Sequence, residues 1–220
     1  MVAPRVEFEI LPFQRAEDEA AQLPEPVALT VTCSPRHGPD RTVESGARVR
    51  TLGHTVIVHI AARMVRDAEH TDALLRRMAQ AGIEDAFVIG GDGPEPHGLY
   101  ASAGDLLEVL IEHQQRPRSI GIAGYPEGHP LIDEETLWSA LERKAAWADY
   151  VTTQMCFDAE ALLRWLRSAR ERGLTLPVMI GVPGVIDRRR LLEISLRIGV
   201  GPSLAFLRKQ RGLRQLLSHS

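Results

Sequence analysis

At 220 residues the chain is long enough for one well-buried domain and too short for two ordinary ones with a linker. Hydrophobic and charged fractions of 44% and 25% are those of a globular protein. A net charge of −3 gives no reason to expect the strongly basic face that nucleic-acid binding needs. Only two lysines, Lys144 and Lys209, stand beside 24 arginines, a bias that reads as coding composition, so arginine-rich patches carry little functional weight. Cys33 and Cys156 are too few and too isolated for a disulfide framework or a thiolate zinc site. Acidic residues by position 7 and the lack of any apolar run near the roughly 20 residues of a membrane span lead to the expectation of a cytoplasmic protein.

The predicted elements alternate along the chain. Arg5 to Leu11 reads as a strand stopped by Pro12, and Arg15 to Gln22 as a short helix ended by Pro24 and Pro26. Val27 to Cys33, VALTVTC, is a second strand rich in β-branched residues, followed by the turn SPRHGPD and a helix around Arg41 to Arg50. His54 to Ile60 is the third strand. Arg66 to Ala81 is an amphipathic helix with Leu74, Leu75 and Met78 on one face and Gly82 as its stop. Asp85 to Ile89 is the fourth strand, with the loop GGDGPEPHG and a helix from about Ala101 to His113 after it. Ser119 to Gly124 is the fifth strand and Glu134 to Trp147 its helix; Tyr150 to Gln154 is the sixth, followed by a helix from Asp158 to Arg172. Leu176 to Gly181 is the seventh strand, with a further helix after Asp187 and a helical, Arg-rich segment over 199–220.

Seven strand–helix units with short connections predict a parallel sheet. Gly90-Gly91-Asp92-Gly93 and Gly121 to Gly124 lack the spaced fingerprint of a dinucleotide-binding unit, and the first unit has no glycine loop at all. The expected fold is therefore a (β/α)8 TIM-type barrel forming one catalytic domain over residues 1–220, with the eighth strand not identifiable.

A barrel gathers the carboxyl ends of its strands in one mouth. The polar residues at those ends are Glu9, Thr32, His59, Asp92, Tyr125 with His129, and Gln154. Each alone has a plain structural explanation: Glu9 alternates with Phe8 and can face solvent, His59 can be a satisfied core histidine, Asp92 a turn former, Gln154 a helix cap. Together they suit acid–base chemistry or metal binding. No short helical metal-ligand spacing occurs and the possible ligands lie on four strands, so no metal is assigned.

AGYPEGHP at 123–130, the spaced ERK at 142–144 and TTQMCFD at 152–158 closely resemble the 5,10-methylenetetrahydrofolate reductase family. VEFEILPF at 6–13 is similar to that family's opening strand, and TVTC at 30–33, VHI at 58–60 and VIGGD at 88–92 fall in the right order. The resemblance runs from about residue 6 to 186. It implies hydride transfer from NADH or NADPH to the methylene carbon of a folate in one-carbon metabolism, with FAD as the usual carrier. Glu9 matches the glutamate that opens the folate's imidazolidine ring to an iminium, a general acid whose burial among Phe8 and Ile10 would raise its pKa. Asp92 matches the aspartate beside the pterin and the carrier ring, Gln154 the amide that binds the pterin, and Phe157 a candidate aromatic wall. Thr32, His59, Tyr100, Ala101, Tyr125 and His129 match cofactor-binding positions, and Arg143 with Lys144 the pair that meets the flavin phosphates.

The departures fall on the flavin side. Gly90 stands where the family has an arginine, and Leu137 and Ala140 replace an aspartate and an asparagine that grip the flavin's ribityl and ribose parts. Each lost hydrogen bond is worth roughly 0.5–3 kcal/mol. FAD binding is left open, and the losses favour a flavin-independent reaction. A metal-dependent barrel lyase or aldolase and a non-catalytic folate-binding barrel are the rival readings. The folate is the expected partner; oligomeric state and the choice between NADH and NADPH are not legible.

Overall fold

The computed structural model describes residues 6–12, 16–92, 95–156 and 158–184. Phe157, the predicted helix after Asp187 and the segment 199–220 lie outside the described residues. So does the stretch in which an eighth strand would have to follow. Seven strands form one sheet in sequence order: β1 (Glu7–Ile10), β2 (Ala28–Val31), β3 (Thr55–Ala61), β4 (Asp85–Ile89), β5 (Ser119–Gly124), β6 (Tyr150–Thr153) and β7 (Val178–Met179). The connections carry α1 (Ala16–Ala21), α2 (Gly38–Thr51), α3 (Ala68–Gln80), α4 (Ala103–Glu112), α5 (Glu134–Ala145) and α6 (Ala159–Glu171), with a 3₁₀ turn at Ala62–Met64. This is the α/β class and the parallel, sequential order of the expected barrel.

The chain divides into two compact units, Met1–Ile122 with Ala146–Asp149, and Ala123–Ala145 with Tyr150–Ser220. In the first, alternation sorts the strand residues by face. Val56 and Val58 meet α2 so closely that a Cβ on Gly46 would lie 2.8 Å from Val58 Cγ1. Leu29, Val31, Ile60, Val88 and Ile120 share that helix-covered side in register, and Leu74, Leu75 and Met78 of α3 and Leu106, Leu107 and Leu110 of α4 are buried with them. Each such side chain contributes roughly 1.5–3 kcal/mol. Ile57, His59 and Phe87 therefore point to the opposite face, as do Glu7 and Glu9 through the register Glu9 to Thr30 to Ile57. Asp149 joins this unit by exchanging bonds with Ile120, its N–H donating to the Ile120 carbonyl and its Oδ2 accepting the Ile120 N–H, both at 2.8 Å.

The helices begin where their caps dictate. Asp67 accepts the His70 N–H ahead of α3, and Ser102 and Asp105 form a reciprocal capping box on α4. In the second unit Asp158 caps α6 through the N–H groups of Glu160 and Ala161, so Gln154 is not that helix's cap. Gly124 at the end of β5 has no room for a side chain, because a Cβ would sit 2.8 Å from the Trp165 ring. β7 is shorter than predicted: the Gly181 N–H donates to Thr153 Oγ1 instead of continuing the ladder.

Candidate functional site

In the first unit the site is built on the sheet face away from the helices. Glu9, next to last in β1, has its Oε1 3.7 Å from His59 Nε2, beyond hydrogen-bond distance. His59 is buried and lies tilted over Phe87, ring centroids 4.8 Å apart. Burial alone pushes its pKa down to about 4, so the ring is neutral at neutral pH. The Glu9 side chain is 66% exposed, and partial loss of hydration near the sheet face raises its pKa above the usual carboxylate value. Repulsion from Glu7, two residues back on the same face, adds to that shift. Phe8 and Ile10, expected to supply the burial, alternate to the other side of the strand, and Phe8 is itself 52% exposed. A neutral His59 offers no positive charge to lower the carboxyl again. Thr30, beside Glu9 in register, donates to Glu7 Oε2 at 3.5 Å, and Thr32 donates through its hydroxyl to the Ile10 carbonyl at 3.3 Å.

Asp92 is exposed in the loop after β4, at the same edge of the parallel sheet as Glu9. Gly91 before it has φ +92°, and a Cβ there would lie 3.0 Å from the Ala61 Cβ. The loop is tied to the segment after β3. The Arg63 N–H donates to the Gly90 carbonyl, the His97 N–H to Arg63 O, the Leu99 N–H to Arg66 O, and Arg63 Nη1 to Ala101 O. Tyr100 is buried, its hydroxyl 3.1 Å from Thr71 Oγ1.

In the second unit the turn after β5 and the helices α5 and α6 enclose a cavity of about 490 Å³. Its floor is apolar: Leu137, Leu141 and the stacked pair Trp138 and Trp165, whose centroids are 5.7 Å apart. Tyr125 and His129 line it in an edge-to-face contact at 5.5 Å, with Nδ1 of His129 accepting the Leu131 N–H. Its other polar groups are mostly anionic: Glu127, Glu134 and Asp158, against Arg164. The Cys156 thiol donates to Glu127 Oε1 at 3.4 Å, and burial pushes that thiol up to about 11. Gln154 is half-buried; its N–H donates to the Gly124 carbonyl at 2.7 Å and its Oε1 accepts the Met155 N–H. Lys144 follows Leu137 and Leu141 on one face of α5, and burial pushes its pKa down to about 8. Arg143 is exposed on the same last turn, where both cations also suit the helix dipole.

A sequence model described as methylenetetrahydrofolate reductase matches residues 13–195. The chain belongs to the methylenetetrahydrofolate reductase family. Methylenetetrahydrofolate reductase 1 of Schizosaccharomyces pombe is 25% identical over 148 residues, 64% of this chain and 24% of that protein. Methylenetetrahydrofolate reductase (NADH) 1 of Arabidopsis thaliana is 25% identical over 71% of this chain and 29% of its own length. A probable methylenetetrahydrofolate reductase (NADPH) of Caenorhabditis elegans is 29% identical over 55% of this chain and 20% of its own. The chain thus spans about a quarter of the length of the curated relatives it matches. Among solved structures, a GH18 chitinase from Cycas revoluta has a TM-score of 0.48 at 12% identity, covering 80% of this chain and 68% of that one, too slight a likeness to carry an argument. Thr32, His59, Asp92, Tyr100, Ala101, Tyr125, His129, Arg143, Lys144 and Gln154 fall inside the stretch matched to the reductase family, and Glu9 just before it.

Among the described residues no three or more His, Cys, Asp or Glu side chains gather as metal ligands, and no helix is long and apolar enough to cross a membrane. Sequence reasoning missed Glu7, Phe87, the Glu127–Cys156 pair and the tryptophan floor. The Glu7–Glu9 spacing of two held the signal for the first; the others depend on packing between distant segments.

His59 carries a consequence for acid stability. The unfolded chain takes up a proton on this imidazole near pH 6.5, while the folded chain refuses it until about pH 4. Its contribution is present above 6.5 and lost as pH falls through that window, by about 3 kcal/mol. Urea melts of His59→Phe beside the wild type should lack this part of the slope; identical slopes from pH 6.5 to 4 would contradict the assignment.

Proposed function

We propose that this chain reduces 5,10-methylenetetrahydrofolate to 5-methyltetrahydrofolate with a reduced nicotinamide coenzyme. The observation that carries the reading is the Glu9–His59 arrangement: a carboxyl with a raised pKa beside a buried, neutral imidazole, in a chain of this family. Glu9 holds a proton and gives it to the folate ring nitrogen as the carbon–nitrogen bond breaks, leaving the bonding pair on nitrogen and an iminium at the methylene carbon. The coenzyme supplies the hydride that turns this carbon into a methyl group. The exposed Glu9 carboxylate then recovers its proton from solvent. Asp92, Tyr100 and Ala101, in the loop after β4, are assigned to the same side of the substrate as Glu9.

The donor set around the second unit's cavity does not suit FAD. Leu137 and Leu141 offer a ribityl chain no hydrogen bonds, the Trp138 N–H is already given to Glu134, and Glu127, Glu134 and Asp158 outweigh the single cation Arg164 in repelling phosphate. Lys144, although its pKa is lowered to about 8, stays mostly charged at neutral pH, so a cation for a dinucleotide's diphosphate is retained while the sugar anchors are lost. This supports a direct transfer from nicotinamide. Purified protein, colourless and without a flavin band near ~450 nm, is expected to form 5-methyltetrahydrofolate from NADH or NADPH and methylenetetrahydrofolate. A yellow protein would overturn the flavin-free version. No product with either coenzyme, with or without added FAD, would overturn the function.

A further inference from the structure

We infer that His70 is a positioning residue, which through the backbone of Arg66 fixes the β4–α4 loop carrying Asp92, Tyr100 and Ala101. His70 opens α3 and is only 3% exposed. Its Nδ1 accepts the Arg66 N–H at 3.1 Å. A nitrogen that accepts a backbone N–H carries no hydrogen, which leaves the ring's hydrogen on Nε2. That hydrogen points to Asp40 Oδ2, 2.9 Å away. Asp40 is held in turn by Arg77, whose Nη1 donates to its Oδ1 at 2.9 Å and Nη2 to its carbonyl at 3.1 Å. The imidazole is thus pinned at both ends, and its Nδ1 end acts on Arg66.

Arg66 is where the loop is fastened. Its carbonyl accepts the Leu99 N–H at 2.9 Å, and the approach is so close that a Cβ on Gly98 would lie 1.9 Å from that oxygen. Three residues earlier, Arg63 holds both ends of the same loop through Gly90, His97 and Ala101. From Gly90 to Ala101 the described residues form no helix or strand of their own, so the loop takes its shape from this template. Asp67 already caps the His70 N–H, so the side chain is not needed to start α3. Thr71, the next residue, meets the Tyr100 hydroxyl, which puts a second anchor of the same loop on the same turn.

The two ring nitrogens can be separated by substitution. His70→Asn keeps an acceptor as far from the backbone as Nδ1 but falls short of Asp40. His70→Gln reaches Asp40 and leaves nothing at Nδ1. Each loses one hydrogen bond, so a role confined to stability lowers the melting temperature of both alike and leaves kcat and KM unchanged. The positioning role predicts that the Gln variant alone speeds amide exchange at His97 and Leu99, roughly tenfold or more. Its kcat/KM should fall by a comparable factor, while the Asn variant stays near wild type in both. Should the Gln variant fail to fold, Arg66→Pro deletes the N–H itself. Val65 before it is already extended (φ −86°, ψ 125°), as a residue preceding proline must be. Equal exchange at His97 and Leu99 in the Asn and Gln variants, or wild-type exchange in the proline variant, overturns the inference. The activity arm rests on the proposed reaction and the exchange arm does not. A wild type without reductase activity whose exchange follows the prediction would therefore sink the reaction and keep the positioning role.

Discussion

Glu9→Gln is expected to lower kcat for methylenetetrahydrofolate reduction by roughly 10²–10⁴-fold, with folate affinity nearly unchanged. The amide matches the carboxylic acid in size and still donates a hydrogen bond, but it has no proton to give to a departing nitrogen. Because the acid form is the working one, wild-type kcat/KM should fall as pH rises through the raised Glu9 pKa. The charge on Glu7 is one cause of that pKa. Glu7→Gln should therefore move the falling limb to lower pH without abolishing turnover. A stopped-flow assay of coenzyme oxidation, with folate binding measured separately by calorimetry, reads both effects. Full turnover in Glu9→Gln would remove the general acid from the scheme.

Gly98→Ala should be the most damaging single methyl group in the first unit. Its Cβ would fall 1.9 Å from Arg66 O and 2.4 Å from the Arg66 carbonyl carbon and Cα, all backbone atoms that no rotamer change can move aside. The loop must lift, breaking the Leu99 bond to Arg66 and displacing Tyr100 and Ala101. Overpacking of this kind costs roughly 1–3 kcal/mol in stability. A displacement of about 1 Å in a positioning loop costs roughly 10²-fold in rate. Thermal melts and kcat/KM measured together would test the pair, and a variant with wild-type kcat/KM would show that the loop does not need this approach.

The layout of elements was legible because the local signals agreed with the tertiary structure. The β-branched runs ALTV and TVIVHIA are β2 and β3, and DAFVI is β4 to the residue. Helix ends were less so: α2 begins at Gly38, in a left-handed turn with φ +67° ahead of Pro39, earlier than its apolar pattern suggests. The strand-end reading grouped Glu9 with His59, and the sheet register puts them on a common face. Phe8 and Ile10 do not cover Glu9 as the sequence suggests, because a strand turns such neighbours to its other face. What the sequence could not reveal depends on contacts between remote segments. The ring of Phe87 under His59 is one case, the Trp138–Trp165 floor another, and the thiol of Cys156 against Glu127 a third.

That thiol has a practical corollary. Burial raises the pKa of both Cys33 and Cys156, the latter to about 11, so both hold their protons more firmly than a free cysteine does. The native thiols should therefore react more slowly with maleimides and iodoacetamides than a free cysteine does. A single cysteine introduced on the surface would then take a spectroscopic tag ahead of the two native ones.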